Sequence, residues 1–382
     1  MKRKICVVVT SRASYARVKS VLREVANHPG LELQLVVSAS ALLDRFGNAI
    51  QVIENDGFHP VARVYIIIEG ENPTTMAKST GLAIVELATV FENIKPDIVL
   101  TVADRFETMA TAIAASYMNI PLAHIQGGEK SGSIDESVRH AVTKLAHLHF
   151  AATEESRERI IRMGENPAHV FLTGCPSLDI LCGTDLSLES DILKKYGGVG
   201  PLLDFSKPYI VIMQHPVTTE YLSGRAQVKE TLQAVYELDY QTAWLWPNVD
   251  AGSDEVSKGI RAFRENKNPS QIHFFKNFPP ESYARLINNA LCLAGNSSSG
   301  IREASFLGVP VVNIGTRQYG RERAENVIDV GYDANEIKKA IRKQIEHGKY
   351  PQSNLYGDGK AGKRIVAFLA DSKINIQKKL AY

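Results

Sequence analysis

Gly295-Asn296-Ser297-Ser298-Ser299-Gly300-Ile301-Arg302-Glu303 follows the apolar run Ala290–Ala294 and leads into a helical segment ending near Leu307. A strand that ends in a hydroxyl-rich turn before a helix aims unpaired N–H groups and a positive dipole end at one point. That suits a phosphate. Ser297, Ser298, Ser299 and Gly300 form the candidate anion cradle. Glu303, in the first turn, can take two hydrogen bonds from a ribose diol. A serine at a helix start is also an ordinary cap, so the stretch gains weight only in company.

Six other loops supply that company. Thr10-Ser11-Arg12 opens a helix after the run Ile5–Val9, and Arg12 there meets a phosphate or carboxylate, or stands solvated. Asp104, in Ala103-Asp104-Arg105, is a cap for the next helix, an acid–base group facing a cleft, or both. Residues Gln126 to Glu136 pack three glycines and three carboxylates (Glu129, Asp135 and Glu136) into eleven positions. Glycines let backbone approach a ligand, and crowded acids split their pKa values into separate acid and base roles. Asp135 can also simply cap the helix that follows. Gln214-His215-Pro216 leaves a strand at a histidine that is a proton donor, a phosphate ligand or a satisfied structural group. Pro247-Asn248 adds an amide. Gly315 to Arg323 brings Arg317, Arg321 and Arg323 beside the phosphate point.

These loops need strands to hold them. Apolar runs at Ile5–Val9, Leu33–Val37, Val61–Ile68, Asp97–Val102, Pro121–Ile125, His149–Ala152 and Val170–Leu172 alternate with helical patterns at Ala16–Ala26, Thr75–Asn93, Phe106–Tyr117 and Ile134–Ala146. After a break at Gly174-Cys175-Pro176 the alternation restarts with strands at Tyr209–Met213, Thr242–Trp246, Ile272–Phe275, Leu291–Ala294 and Pro310–Ile314. Short buried strands between helices imply parallel sheets covered on both faces. The expected architecture is α/β: two doubly wound Rossmann-like domains, 1–174 and 175–363, meeting at a cleft. Helical segments at Lys363–Ala370 and Ile374–Leu380, within 364–382, are expected to cross back onto the first domain.

Composition agrees. A chain of 382 residues with 44% hydrophobic and 23% charged residues can bury two cores. A net charge of +2 gives no field to recruit nucleic acid or acidic membranes. No run reaches a membrane span, and Cys6, Cys175, Cys182 and Cys292 lack zinc spacing, reading as reduced core thiols of a cytoplasmic protein. Gly357 to Lys363 imitates a P-loop, but Arg364 stands where Ser or Thr belongs and no strand precedes it. His140 and His147 share a helix without an HExxH arrangement, so no metal site is indicated.

The motifs together resemble one family. Ser11-Arg12-Ala13-Ser14-Tyr15, Asp104-Arg105-Phe106, Gly127-Gly128-Glu129 with Ile134-Asp135, Arg139-His140-Ala141, Gln214-His215-Pro216, Asp250-Ala251-Gly252-Ser253, Gly295 to Glu303 and Gly315-Thr316-Arg317-Gln318 are similar to the hydrolysing UDP-N-acetylglucosamine 2-epimerases. These include bacterial sialic-acid-pathway enzymes and the epimerase domain of the mammalian bifunctional epimerase/kinase. The resemblance implies a GT-B fold and a reaction that eliminates UDP to a 2-acetamidoglucal and then adds water, giving N-acetylmannosamine. The departing diphosphate would be stabilised by Ser298, Ser299 and Arg317, with Arg12 and Arg105. A helix dipole alone supplies about 0.3–2 kcal/mol, too little without the arginines. By family analogy Asp104 and Asp135 are active-site acids, His215 a nucleotide-site histidine and Glu303 the ribose ligand. Sequence does not distinguish which carboxylate takes the C2 proton. No cofactor and no metal are implied.

Two positions depart from the pattern. Gln126 replaces a frequent glutamate, leaving Glu129 as a possible substitute, and Ser14 replaces a frequent aspartate. Lost polar contacts suit a less hydroxylated substrate, such as a UDP- or GDP-linked 2,4-diacetamido-2,4,6-trideoxy sugar on the way to legionaminic acid. A GT-B glycosyltransferase and an inactive nucleotide-sugar sensor are the competing classes. The resemblance also implies a homodimer or homotetramer, and feedback by a CMP-linked nonulosonate near Lys258 and Arg261.

Overall fold

A computed structural model describes residues 2–188, 191–248 and 250–381. Val249, in the loop after the Thr242 strand, and Tyr382, at the end of the expected tail helix, lie outside them.

The first half builds a seven-stranded sheet from β1 (Arg3–Val9), β2 (Leu31–Ser38), β3 (Ala62–Val64), β4 (Ile98–Val102), β5 (Leu122–Ile125), β6 (Leu148–Ala151) and β7 (Val170–Leu172), in the order β3-β2-β1-β4-β5-β6-β7. The second builds a six-stranded sheet from β8 (Tyr209–Met213), β9 (Gln241–Leu245), β10 (Ile272–Phe275), β11 (Leu293–Gly295), β12 (Val311–Ile314) and β13 (Val327–Val330), in the order β10-β9-β8-β11-β12-β13. All pairings within the two sheets are parallel.

Burial on both faces explains the unbroken apolar runs. Alternate residues of β1 serve opposite cores: Ile5, Val7 and Val9 face one, Cys6 and Val8 the other. In β8, Ile210 and Ile212 oppose Tyr209, Val211 and Met213 in the same way. Strand order reverses between β1 and β4, and again between β8 and β11. Crevices at such reversals, beyond the strands' carboxyl ends, are where doubly wound sheets bind ligands. Thr10, Asp104, His215 and Asn296 therefore leave their strands at the two positions that matter.

Local chemistry fixes how the chain departs from β1. Ser11 caps helix Arg12–Asn27, its side chain accepting from Ser14 N–H, while Ser14 Oγ accepts from the backbone N–H groups of Thr10 and Ser11 at 3.0 and 2.9 Å. This reciprocal cap sets Arg12 and Arg17 on the helix's first turns.

The structure corrects several expectations. The strand expected at Val61–Ile68 shrinks to β3, because its partner β2 ends at Ser38, opposite Val64. Beyond Ser38 the chain turns into the 3-10 segment Ala39–Leu42, so residues after Val64 have no edge to pair with. Strand β13 and helix Ala49–Asn55 carry no sequence signal strong enough to expect. Cys182 is exposed rather than a core thiol. At the imitation P-loop, Asp179 already accepts from the Ala361 and Gly362 N–H groups at 2.9 and 2.7 Å. Among the described residues no helix is long and apolar enough to cross a membrane.

Helix Ala361–Asp371 does pack on the first sheet, burying Ile365, Val366 and Leu369 in its core. Residues 374–380 are not helical. They run as a strap in which Lys378 Nζ donates to the carbonyls of Lys144 and Ala146 and pairs with Glu165 at 2.6 Å. Those carbonyls end helix Asp135–Leu145, where a cation is favoured. Substituting Lys378→Met is expected to lower stability by about 1–3 kcal/mol, read as a shifted denaturation midpoint. An unchanged midpoint contradicts the strap.

Candidate active site

A cavity opens between the halves at both reversals. Its walls include Arg12, Ser14, Arg17, Asp104, Arg105, His215, Asn248, Tyr283, Ser297, Ser298, Ser299, Glu303 and Arg317. Ten of the residues expected from sequence thus line one space: Asp104, His215, Arg12, Arg105, Asn248, the three serines, Glu303 and Arg317.

Three guanidiniums there touch no carboxylate among the described residues, although the Asp104 and Glu303 charges act on Arg17 from farther off. Arg12 donates only to neutral acceptors: the Lys276 and Trp246 carbonyls at 2.7 and 3.1 Å, and the side chains of Asn277 and Asn248 at 3.1 and 3.3 Å. Arg17 reaches Ser298 Oγ at 2.9 Å, and Arg317 the Asn296 carbonyl at 3.2 Å. Burial pulls the Arg12 pKa down to about 10, with neighbouring Arg105 adding to it; burial and Arg302 also lower Arg17. Buried cations without a contacting anion are costly, so this wall suits an anionic ligand.

The serine turn is less helical than the sequence suggests. Gly295, at φ +131°, turns the chain out of β11. The following helix spans only Ser298–Ile301 before a kink at Arg302. So short a helix has little dipole, and the arginines carry the anion's stabilisation instead. Gly300 packs against Val311 and does not line the cavity. Ser299 Oγ is held by Tyr283 OH at 2.6 Å. One Glu303 carboxylate oxygen is buried without a partner among the described residues, an open acceptor for hydroxyl donors.

His215 is a neutral donor. Burial, then Arg317, Arg12 and Arg105, push its pKa well below the usual histidine range. Its Nδ1 accepts from Asn248 N–H at 3.1 Å, which leaves the proton on Nε2. Asn296 bridges to it, accepting from His215 N–H at 2.7 Å and donating to its carbonyl at 2.8 Å.

The carboxylates divide sharply. Asp104 does not cap its helix, whose N-cap is Arg105; it lines the cavity and pairs with Arg139. Burial works to raise its pKa, but Arg139, Arg17 and Arg321 outweigh it and hold the carboxyl far below the usual range. Asp135 opens helix Asp135–Leu145 without capping it and lies beside the cavity wall rather than in it. Burial and the Asp104 charge push Asp135 up to about 6.

Four expected roles change. Glu129 is buried beneath Arg302 and Arg321, at 2.5 and 2.6 Å, and its backbone carbonyl accepts from Arg139. Burial raises its pKa less than the three arginines lower it, so it stays ionised and is a poor proton exchanger. Arg321 is taken up by Glu129 rather than a phosphate. Arg105 is matched by Glu107 and, across the cleft, by Asp250 at 2.7 Å. Gln126, at φ +64° and fully buried, turns away from the cavity and donates to Cys175 Sγ at 2.8 Å. Arg17 and Tyr283 carry no signal in the sequence reading, and Arg139 and Arg302 stand within its motifs without a role. Lys258 pairs with Asp254 and Glu255, and Arg261 borders separate surface depressions.

A protein-family model described as UDP-N-acetylglucosamine 2-epimerase matches residues 23–370. The chain belongs to that family. The epimerase is 34% identical over 377 residues to the UDP-N,N'-diacetylbacillosamine 2-epimerase (hydrolyzing) of Legionella pneumophila, covering 99% of this chain and 98% of that one. It is 30% identical over 362 residues to the UDP-N-acetylglucosamine 2-epimerase of Neisseria meningitidis, covering 94% and 92%. The crystal structure of the UDP-GlcNAc 2-epimerase from Neisseria meningitidis bound to UDP-GlcNAc shares its fold, with a TM-score of 0.80 at 21% identity over 97% of this chain and 100% of that one.

In this epimerase, Glu129→Gln leaves Arg302 and Arg321 buried without their anion. The expected cost is about 3–5 kcal/mol, measured by denaturant unfolding at pH 7. Because the folded-state pKa of Glu129 is depressed, its contribution is present above the ordinary carboxylate value of about 4.3 and fades as pH falls. The variant's stability should accordingly depend less on pH in the acid range. Wild-type stability in the variant contradicts the assignment.

Proposed function

We propose that the protein is a hydrolysing nucleotide-sugar 2-epimerase, releasing UDP and a free 2-acetamido sugar inverted at C2. The carrying observation is one cavity in which Arg12, Arg17 and Arg317 from both halves, hydrogen-bonded only to neutral acceptors among the described residues, meet Asp104, with Asp135 within reach of the Asp104 and Arg317 charges. The C2 proton of the bound sugar becomes acidic as the C1–O bond to the diphosphate breaks. Asp135, with a pKa near the working range, is the better proton acceptor. Asp104, locked as an anion, stabilises positive charge building on the sugar. The three arginines take the charge arriving on the diphosphate, and His215 donates a hydrogen bond from Nε2. Water then adds across the glycal, hydroxyl at C1 and hydrogen at C2. The unpartnered oxygen of Glu303 suits a ribose hydroxyl.

For the sugar, a 2,4-diacetamido-2,4,6-trideoxy hexose is the better reading. Ser14 lines the cavity, but its hydroxyl already accepts from Thr10 and Ser11 and donates to the Ser11 carbonyl at 2.9 Å, so it has nothing to offer a sugar hydroxyl. The Legionella relative, matched nearly end to end, supports the same reading. N-acetylglucosamine is the second reading, favoured by the Neisseria relative.

Incubation with each UDP-sugar in heavy water, followed by NMR, tests both points. The expected products are UDP and free sugar carrying deuterium at C2, with the higher kcat/KM on the diacetamido substrate. No release without an added acceptor points to a glycosyltransferase, and binding without exchange to a sensor. The base form of Asp135 exists above its pKa, so kcat should rise through about pH 6 and level off above it. Asp135→Asn should cut kcat by about 100- to 10,000-fold and remove that limb; a preserved limb reassigns the base.

A further inference from the structure

The two halves meet beside the site at a residue with no side chain. Gly132, in the loop between β5 and helix Asp135–Leu145, donates its N–H to the Arg317 carbonyl at 3.1 Å. A Cβ added at Gly132 would lie 2.8 Å from the Thr316 carbonyl carbon, closer still to its oxygen, and 3.1 Å from Tyr319 Cβ. The obstruction is spatial, since the Gly132 backbone is not left-handed. The contact continues on either side: Lys130 lies against Gly320, and Glu129 joins Arg302 and Arg321. Three residues after Gly132 stands Asp135. One residue after Thr316 stands Arg317, whose guanidinium lines the cavity.

We propose that Gly132 is a positioning residue: its bare backbone is the stop against which the halves close, and that stop sets how far Asp135 stands from Arg317 and the leaving diphosphate. The proposal rests on the epimerase reaction described above. Any larger residue holds the loops apart, because relieving the overlap moves one of them by about 1 Å. A displacement of that size, made away from the reacting atoms, costs about 100-fold in rate.

Gly132→Ala tests this, with Gly81→Ala as control, since Gly81 is an exposed helical glycine with nothing within 4 Å of its added Cβ. Turnover of the wild-type protein is measured first, so failure of the reaction itself is read separately. The expected result is a folded Gly132→Ala protein whose kcat falls about 100-fold, while the control keeps wild-type kcat. KM should change far less than kcat, a split that a general loss of structure would not give. Wild-type kcat in folded Gly132→Ala, or a KM that moves as far as kcat, overturns the proposal. Should Gly132→Ala fail to fold, Thr316→Val decides. Thr316 is exposed, and its hydroxyl holds the facing loop to Glu220 at 2.6 Å. A lowered kcat with normal folding supports the stop; wild-type kcat overturns it.

Discussion

A guanidinium moved out of water needs an anion, and one left without it is destabilising. Seven arginines at and behind the cavity divide by this rule. Arg105, Arg139, Arg302 and Arg321 each have a carboxylate. Arg12, Arg17 and Arg317 have only neutral acceptors among the described residues, and all three line the cavity. Together they make one wall of the cavity a cationic surface that suits an anionic ligand.

The paired arginines do a second job. Arg139 and Arg321, together with Arg17, keep Asp104 ionised, and burial and the Asp104 charge in turn raise Asp135. Two acids of ordinary type are thereby driven to opposite ends of their range, as acid–base division requires. Arg321 comes from the half opposite both acids, and the Glu129 cluster and the Arg105–Asp250 pair also span the seam. Asp104 and Asp135 thus take their charge states from groups of both halves.

Much of this was legible because doubly wound sheets confine function to strand ends. Arg12, Asp104, His215 and Ser297 each stood directly after an apolar run, and each lines the cavity. Arg17 was hidden because it sits in mid-helix, where its side chain reads as a solvated face; only its approach to Ser298, far away in sequence, gives it meaning. Arg302 was quoted within the phosphate motif yet turns away from it toward Glu129. Gln126 misled in the opposite sense. It lies in the most chemically crowded loop, but a left-handed backbone sends its side chain to Cys175. The tail beyond residue 373 was misjudged because its apolar spacing mimics a helix, whereas its stability comes from one lysine seated on another helix's end.

Whether these arginines hold a diphosphate is most directly measured by calorimetric titration of UDP and uridine, under the same buffer and salt, with wild-type protein and Arg17→Met. Charge-assisted hydrogen bonds contribute about 1.5–3 kcal/mol each, so UDP should bind at least about 100-fold more tightly than uridine. Arg17→Met should weaken UDP while leaving uridine unchanged. Equal affinities for the two ligands, or an arginine substitution that weakens both alike, would mean that the unpaired guanidiniums do not hold the diphosphate.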